Sequence, residues 1–154
     1  SRSEFQEGIW TIPADRAKNG VAHIVPLPQM AIDIIDGLPE IDGSDKLFAV
    51  PDNPDAVSSG FSKGHPRLLR LMAKLQDDQP VEHFVLHDLR RTAATGMQRL
   101  GVPMPVTEAV LNHISGSRGG IAGVYQRHNY FEEKKEALAK WADEIERIVS
   151  ERPG

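Results

Sequence analysis

The sequence predicts an α+β fold that is mostly α, with a small antiparallel β-sheet near the N-terminus. Three observations carry that expectation. Residues 8–13 and 21–27 are runs of β-branched and aromatic residues, and such runs read as strands. Between them lies a stretch closing on Lys18-Asn19-Gly20, and Asn-Gly is a strong turn pair. Beyond residue 28, apolar residues recur at spacings of three and four, the period of a helix that buries one face.

The strand pair gives an antiparallel hairpin with Lys18 near its tip. Read without further context, Lys18 is an exposed charge that keeps an edge strand from pairing with other chains. Residues 28–38 form the next predicted element, a helix with Met30, Ile34, Ile35 and Leu38 on one stripe. Residues 47–50 read as a third short strand. Residues 51–60 are rich in Pro, Ser, Asn and Asp and read as a loop. A helix follows over 62–76, with Leu68, Leu69, Leu71, Met72 and Leu75 apolar and Lys63, His65, Arg67, Arg70 and Lys74 among them. Those basic residues fit either a solvated face or contacts to a phosphate backbone. Residues 77–80 break the helix.

The next helix runs from residue 86 or 87 to 100, with Leu89, Ala93, Met97 and Leu100 as its buried stripe. Gly101-Val102-Pro103 ends it. A short helix over 106–112 follows Pro105, with Thr107 and Glu108 suited to its start. Residues 115–120 read as flexible, and 123–128 as a helical turn or two. The last helix spans 131–150, where Phe131, Leu138, Trp141, Ile145 and Ile148 make a sustained apolar stripe. That stripe packs either on its own core or on a neighbouring protomer.

At 154 residues the chain reads as one domain with a hydrophobic core. It has no cysteine, which excludes disulfides and thiolate metal sites and fits a cytoplasmic setting. It has no apolar run long enough for a membrane span and opens with no signal-peptide pattern. The first residue is Ser1, so a fragment or processed chain is expected. The net charge of −4 argues mildly against nucleic acid, whose partners are usually basic. However, acidic residues crowd into 33–55 and the last helix, whereas 63–74 and 87–99 carry mostly Lys, Arg and His. A basic face on an acidic domain is compatible with that distribution. Of the six histidines, His83 and His87 have HxxxH spacing, but Phe84 stands where the metalloprotease pattern has glutamate, so no zinc site is expected.

The densest chemistry lies in His87-Asp88-Leu89-Arg90-Arg91-Thr92. His87 and Arg90 are three apart and share a helix face. One face then offers a proton-transfer group beside a planar cation that matches a phosphate. Two later segments join it: Leu111-Asn112-His113, and Gly123-Val124-Tyr125-Gln126-Arg127-His128. An earlier one is Arg16-Ala17-Lys18-Asn19-Gly20, followed by Val25-Pro26-Leu27.

In this order and at these separations, the four segments resemble the tyrosine recombinases, most closely the integrases of phages and genomic islands. That family reads H-x-L-R-R-T, then L-G-H, then a nucleophilic tyrosine, and carries a lysine on a hairpin upstream. The resemblance covers nearly the whole chain. It implies a helical tyrosine-recombinase catalytic domain over residues 1–154 that recombines DNA at specific sites through a covalent phosphotyrosyl intermediate. Tyr125 is then the nucleophile, Arg90 clamps the phosphate and His87 assists proton transfer. His113 bonds a phosphate oxygen, and Lys18 protonates the leaving oxygen. Arg91, Lys63 and Arg67 would contact DNA. No cofactor is implied. The implied partners are double-stranded attachment sites and further copies of the chain, with exchange of the C-terminal helix as one mode of assembly. The implied location is the cytoplasm of a bacterium or infected host.

Three departures from the family pattern bear on these expectations. The first catalytic arginine, in a G-x-R-x-G-E-like segment upstream of the hairpin, has no counterpart here, and Arg2 lies too close to the first strand. Inactivity of these residues alone is therefore expected. Asn112 stands where glycine is usual, and Asn tolerates left-handed backbone better than most residues. Tyr125 follows His113 by twelve residues, where about nine is usual, with Gly116, Gly119 and Gly120 available to absorb the difference. Tyr130 is the competing tyrosine. The rival readings are a DNA-binding or assembly module without chemistry, and a topoisomerase using the same tyrosine.

Overall fold

The computed structural model describes residues 1–50, 53–57, 61–113 and 130–151. The chain divides into two units, one of Ser1–Arg2 with Pro39–Asp88 and one of Ser3–Leu38 with Leu89–Gly154. Among the described residues, no helix is long and apolar enough to cross a membrane.

The discontinuous second unit begins with a three-stranded antiparallel sheet of β1 (Phe5–Gln6), β2 (Ile9–Ile12) and β3 (His23–Pro26), in that spatial order. The two expected strands are present, and β1 is an addition. It exists because Glu7 and Gly8 both take positive φ, 49° and 75°. That is the two-residue hairpin geometry whose twist matches the flanking strands, and it sets Gln6 opposite Ile9. A side chain at position 8 would also crowd Ile32, whose Cδ1 lies 3.3 Å from where a Cβ would sit. Helix α1 (Gln29–Asp36) follows Pro28 and stops at Gly37. Ile32 and Ile35 line a cleft with Phe5, Ile9 and Leu27. The expected stripe needs correcting here, because Ile34 is 63% exposed. The apolar face turns toward the hairpin through Ile32 instead.

Helix α3 (Leu86–Arg99) carries the HxxR segment. Its first turn is fastened by Asp88 Oδ2, which accepts from the Val85 N–H at 2.9 Å, one half of a capping box. At its other end Gly101 has φ 79°. The Gly101 N–H donates to Gln98 O and the Val102 N–H to Met97 O, both at 3.0 Å. This is the Schellman closure, and glycine supplies the left-handed residue it needs. Helix α4 (Met104–Val110) starts and ends two residues earlier than expected. Pro105 sits inside its first turn, where a missing N–H costs nothing.

The last helix, α5 (Phe131–Ser150), covers the predicted range. Met97, Val102, Val106 and Ala137 are buried together, with Val110, Tyr130 and Trp141 packed around them. Burying each large apolar side chain contributes roughly 1.5–3 kcal/mol. The approach of α3 to α5 is set by Gly96, against which the Trp141 ring lies. The buried face of α3 is centred there. Leu89, two turns earlier and expected inside, is 55% exposed.

In the first unit, β4 (Ala49–Val50) pairs antiparallel with β5 (Asn53–Val57). Residues 53–57 therefore form a strand where turn-rich composition predicts loop. A proline at 54 is tolerated because each strand of a two-stranded sheet is an edge. Helix α2 (Phe61–Lys74) contains Pro66. Leu69 and Met72 are half-buried, whereas Leu68, Leu71 and Leu75 are exposed. His65 packs edge-on against Phe84, with ring centroids 5.0 Å apart. Arg2 is committed to this unit. Its backbone N–H donates to Asp45 O at 2.6 Å, its Nη2 donates to Pro39 O at 3.1 Å, and it pairs with Glu40 at 3.5 Å.

Candidate active site

The connection between β2 and β3 is a compact loop with two anchors. The Arg16 and Ala17 N–H groups donate to Pro13 O at 3.1 and 3.0 Å, and the Gly20 N–H donates to Ala17 O at 2.9 Å. Arg16 pairs with Glu4, and the same carboxylate accepts from Trp10 Nε1 at 3.0 Å. The Trp10 bond first, then the N-terminal charge and Arg16, hold the Glu4 pKa below its ordinary value against the opposing effect of burial. Asn19 is the second anchor. Its Oδ1 accepts from the Val21 N–H at 3.1 Å, and its Nδ2 donates to Asn112 Oδ1 at 2.8 Å. Lys18 is exposed and lies between these two tied positions.

The far end of that last bond is the turn that closes α4. Asn112 has φ 50°. The Asn112 N–H donates to Ala109 O at 3.3 Å and the His113 N–H to Glu108 O at 2.9 Å. This is again a Schellman closure, with Asn112 as its left-handed residue and His113 immediately after it. The L-x-H segment thus has a physical reading. Position 112 must be left-handed to end the helix and turn out the histidine, and glycine or asparagine does so at least strain. His113 is 63% exposed in its side chain, with Nδ1 3.8 Å from Glu108 Oε1.

Three consecutive residues of this turn are each held by a different element. His23 Nε2, on β3, donates to Val110 O at 3.1 Å; a carbonyl only accepts, so the proton sits on Nε2. Arg90 Nη2, on α3, donates to Leu111 O. Asn19 donates to Asn112. The Lys18 loop, Arg90 and His113 are therefore gathered about residues 110–112. Arg90 makes its bond with a neutral carbonyl, and no carboxylate is paired with it among the described residues. A planar cation with donors to spare is suited to a phosphate.

Beneath this turn lies a buried cation that periodicity gives no reason to expect. Lys134, on α5, is 4% exposed, and its Nζ donates to Ile24 O on β3. Burial lowers its pKa. His23 beside it is also lowered, by burial first and then by the Lys134 charge, with Arg90 adding to the effect and the Val110 bond opposing it. The unfolded chain therefore takes up a proton at His23 before the folded one does. That stability is full above the ordinary histidine value of 6.5 and is lost as pH falls below it. Melting between pH 7.5 and 5 is expected to show the wild type losing stability faster than His23→Gln, which keeps a donor for Val110 O. Parallel melting curves for the two proteins would rule out His23 as the source.

His87 is exposed, one helical turn before Arg90 on α3. Arg91 is exposed on α3, and Arg67 is exposed on α2 in the first unit. Lys63 belongs to α2, and its side chain lies outside the described residues. Tyr125, with the expected turn over 123–128 and the expected flexible stretch over 115–120, also lies outside them. Tyr130 is half-buried at the start of α5, with φ 52°, and packs on the Met97 cluster.

The model of the phage integrase family matches residues 1–130. This chain belongs to the phage integrase family. The match includes the positions of Lys18, His87, Arg90, His113 and Tyr125, so the segments that carry the resemblance fall inside it. Among curated proteins, this chain is similar to the "Prophage integrase IntA" of Escherichia coli (strain K12), with 28% identity over 141 residues, 91% of this chain and 32% of the relative. The chain thus spans about a third of that relative's length. No solved structure matches it significantly.

Proposed function

We propose that this chain is the catalytic domain of a tyrosine site-specific recombinase. It cleaves and rejoins DNA at attachment sites of a phage or genomic island through a phosphotyrosyl link. The observation that carries this reading is the gathering of Arg90, the Lys18 loop and His113 about one turn, in a chain whose family match spans those positions.

The Tyr125 hydroxyl oxygen attacks the phosphorus, and the bond from phosphorus to the leaving oxygen breaks. The phenolic proton passes toward His87, and the leaving oxygen takes a proton from Lys18. A tyrosine with an unperturbed pKa of about 10 needs such an acceptor and nearby positive charge. Arg90 and His113 donate to the non-bridging oxygens, where negative charge builds up in the transition state. The covalent link conserves the bond energy, so rejoining needs neither ATP nor a metal.

Arg91, Lys63 and Arg67 contact the DNA backbone in this reading. The complete protein supplies the first arginine from outside these 154 residues, and the residues alone are inactive. It works in the cytoplasm as a multimer on paired DNA sites, with α5 exchanged between protomers as one route of assembly. The packing of Tyr130 on the core supports Tyr125 as the nucleophile.

Covalent trapping tests the proposal. The chain, joined to the upstream segment that bears the first arginine, is mixed with nicked attachment-site DNA, and denaturation-resistant adducts are counted. An adduct lost with Tyr125→Phe and kept with Tyr130→Phe is the expected result. The net charge of −4 gives some weight to a second reading, a DNA-binding or assembly module without chemistry. Site-specific binding with no adduct would establish that reading instead.

A further inference from the structure

We infer that Asn112 is a positioning residue for Lys18: the bond from Asn19 Nδ2 to Asn112 Oδ1 sets the Lys18 amine against the leaving oxygen. The inference rests on the recombinase reading above and deepens it.

Backbone geometry alone does not account for asparagine at position 112. A left-handed residue is needed there, and glycine meets that need with less strain. What asparagine adds is a side-chain amide, and that amide reaches across 93 positions of sequence to the Lys18 loop at 2.8 Å. The donor is itself oriented. Asn19 Oδ1 is occupied by the Val21 N–H at 3.1 Å, so its Nδ2 is turned outward to Asn112. Without this bond, the Glu4 pair at Arg16, two residues before Lys18, is the remaining side-chain anchor of the loop among the described residues.

The turn on the other side is fixed independently by His23 at Val110 O and by Arg90 at Leu111 O. One rigid turn thereby sets both the phosphate-binding groups and the proton donor. A group that must deliver a proton at a defined point loses rate when displaced by about an ångström, by up to roughly a hundredfold. It does so without losing DNA affinity, because Lys18 keeps its charge.

The test separates proton delivery from general damage. Two DNA substrates are compared in the full-length protein. One is ordinary. The other carries sulfur in place of the leaving oxygen. When the bond from phosphorus to sulfur breaks, the thiolate departs as a stable anion and needs no proton. Asn112→Gly deletes the amide and keeps the left-handed turn, so folding is retained, and a melting curve checks it.

The expected result is adduct formation on ordinary DNA slowed about tenfold to a hundredfold, with the sulfur substrate changed less than about threefold and DNA affinity unchanged. Asn19→Ala should match it, and the double variant should be no slower than either single one, as for two ends of one bond. Equal slowing on both substrates would make Asn112 merely structural and overturn the inference, as would no slowing on either. A wild-type protein that forms no adduct on either substrate overturns the proposed function, and the inference with it.

Discussion

Replacing Arg90 by alanine is expected to lower the rate of covalent adduct formation by about a hundredfold to a thousandfold, the usual scale for losing one preorganised donor to transition-state charge. Two losses combine at this residue. In the proposed mechanism the guanidinium that faces the phosphate disappears, and the donor to Leu111 O disappears with it. Arg90→Lys restores the charge but not the planar fork, and a point charge does not reproduce paired bonds to two oxygens. Its rate should fall between those of wild type and alanine. DNA affinity changes much less, since one phosphate contact among many alters the salt slope by only about one unit. Single-turnover trapping at saturating protein reads the rate, and a salt titration reads the affinity. An alanine variant that forms adduct within about threefold of wild type would remove Arg90 from the chemistry.

The second large effect concerns stability. In an exposed helix, changing glycine to alanine gains roughly 1 kcal/mol. At Gly96 the sign should reverse. A Cβ built there lies 2.6 Å from Trp141 Cη2 and 2.8 Å from Cε3, well inside contact distance for two carbons. The indole must shift, and it is packed on the Met97 cluster. Overpacking of this kind costs typically 1–3 kcal/mol, which exceeds the helix gain. Gly96→Ala is therefore expected to lower the denaturant midpoint, with a larger drop for Gly96→Val. Trp141→Ala is also destabilising, through the cavity it leaves. The two changes should be strongly non-additive, because the three atoms nearest a methyl at position 96 all belong to the indole. Additive effects in that double-mutant cycle would mean that the close approach of α3 to Trp141 is not what demands glycine.

Most of the element order was readable from local signals. The Lys18 loop, the glycine after α3 and the apolar periodicity of α5 each rest on residues close in sequence. The misreadings share a physical cause. β1 was missed because its turn places Glu7, a residue with no turn preference, at positive φ. β5 was read as loop because composition registers proline and aspartate but not the partner strand that satisfies the backbone. Ile34 and Leu89 were assigned inward because periodicity finds an apolar stripe but not its neighbour; Ile32 against Gly8 and Trp141 against Gly96 decide those faces. At the site, Arg90, His113 and Lys18 were legible as chemistry-bearing residues. The asparagine pair, the His23 bond to Val110 and the burial of Lys134 were not. They join segments 93, 87 and 110 positions apart, and nothing local announces them.

The burial of Lys134 has a consequence for the order in which the chain can assemble. The carbonyl it satisfies belongs to Ile24, 110 positions earlier, and the unit holding both is interrupted in sequence by residues 39–88. A ribosome adding 5–20 residues per second needs on the order of 5 to 20 seconds to travel from one to the other. Throughout that interval the hairpin has emerged while its closing helix has not. The three-stranded sheet, made before the rest of its unit, is thus among the last parts of that unit to be locked. A nascent chain halted before α5 would leave β3 with an unpaired carbonyl and an uncovered face, a natural point for chaperone capture or proteolysis.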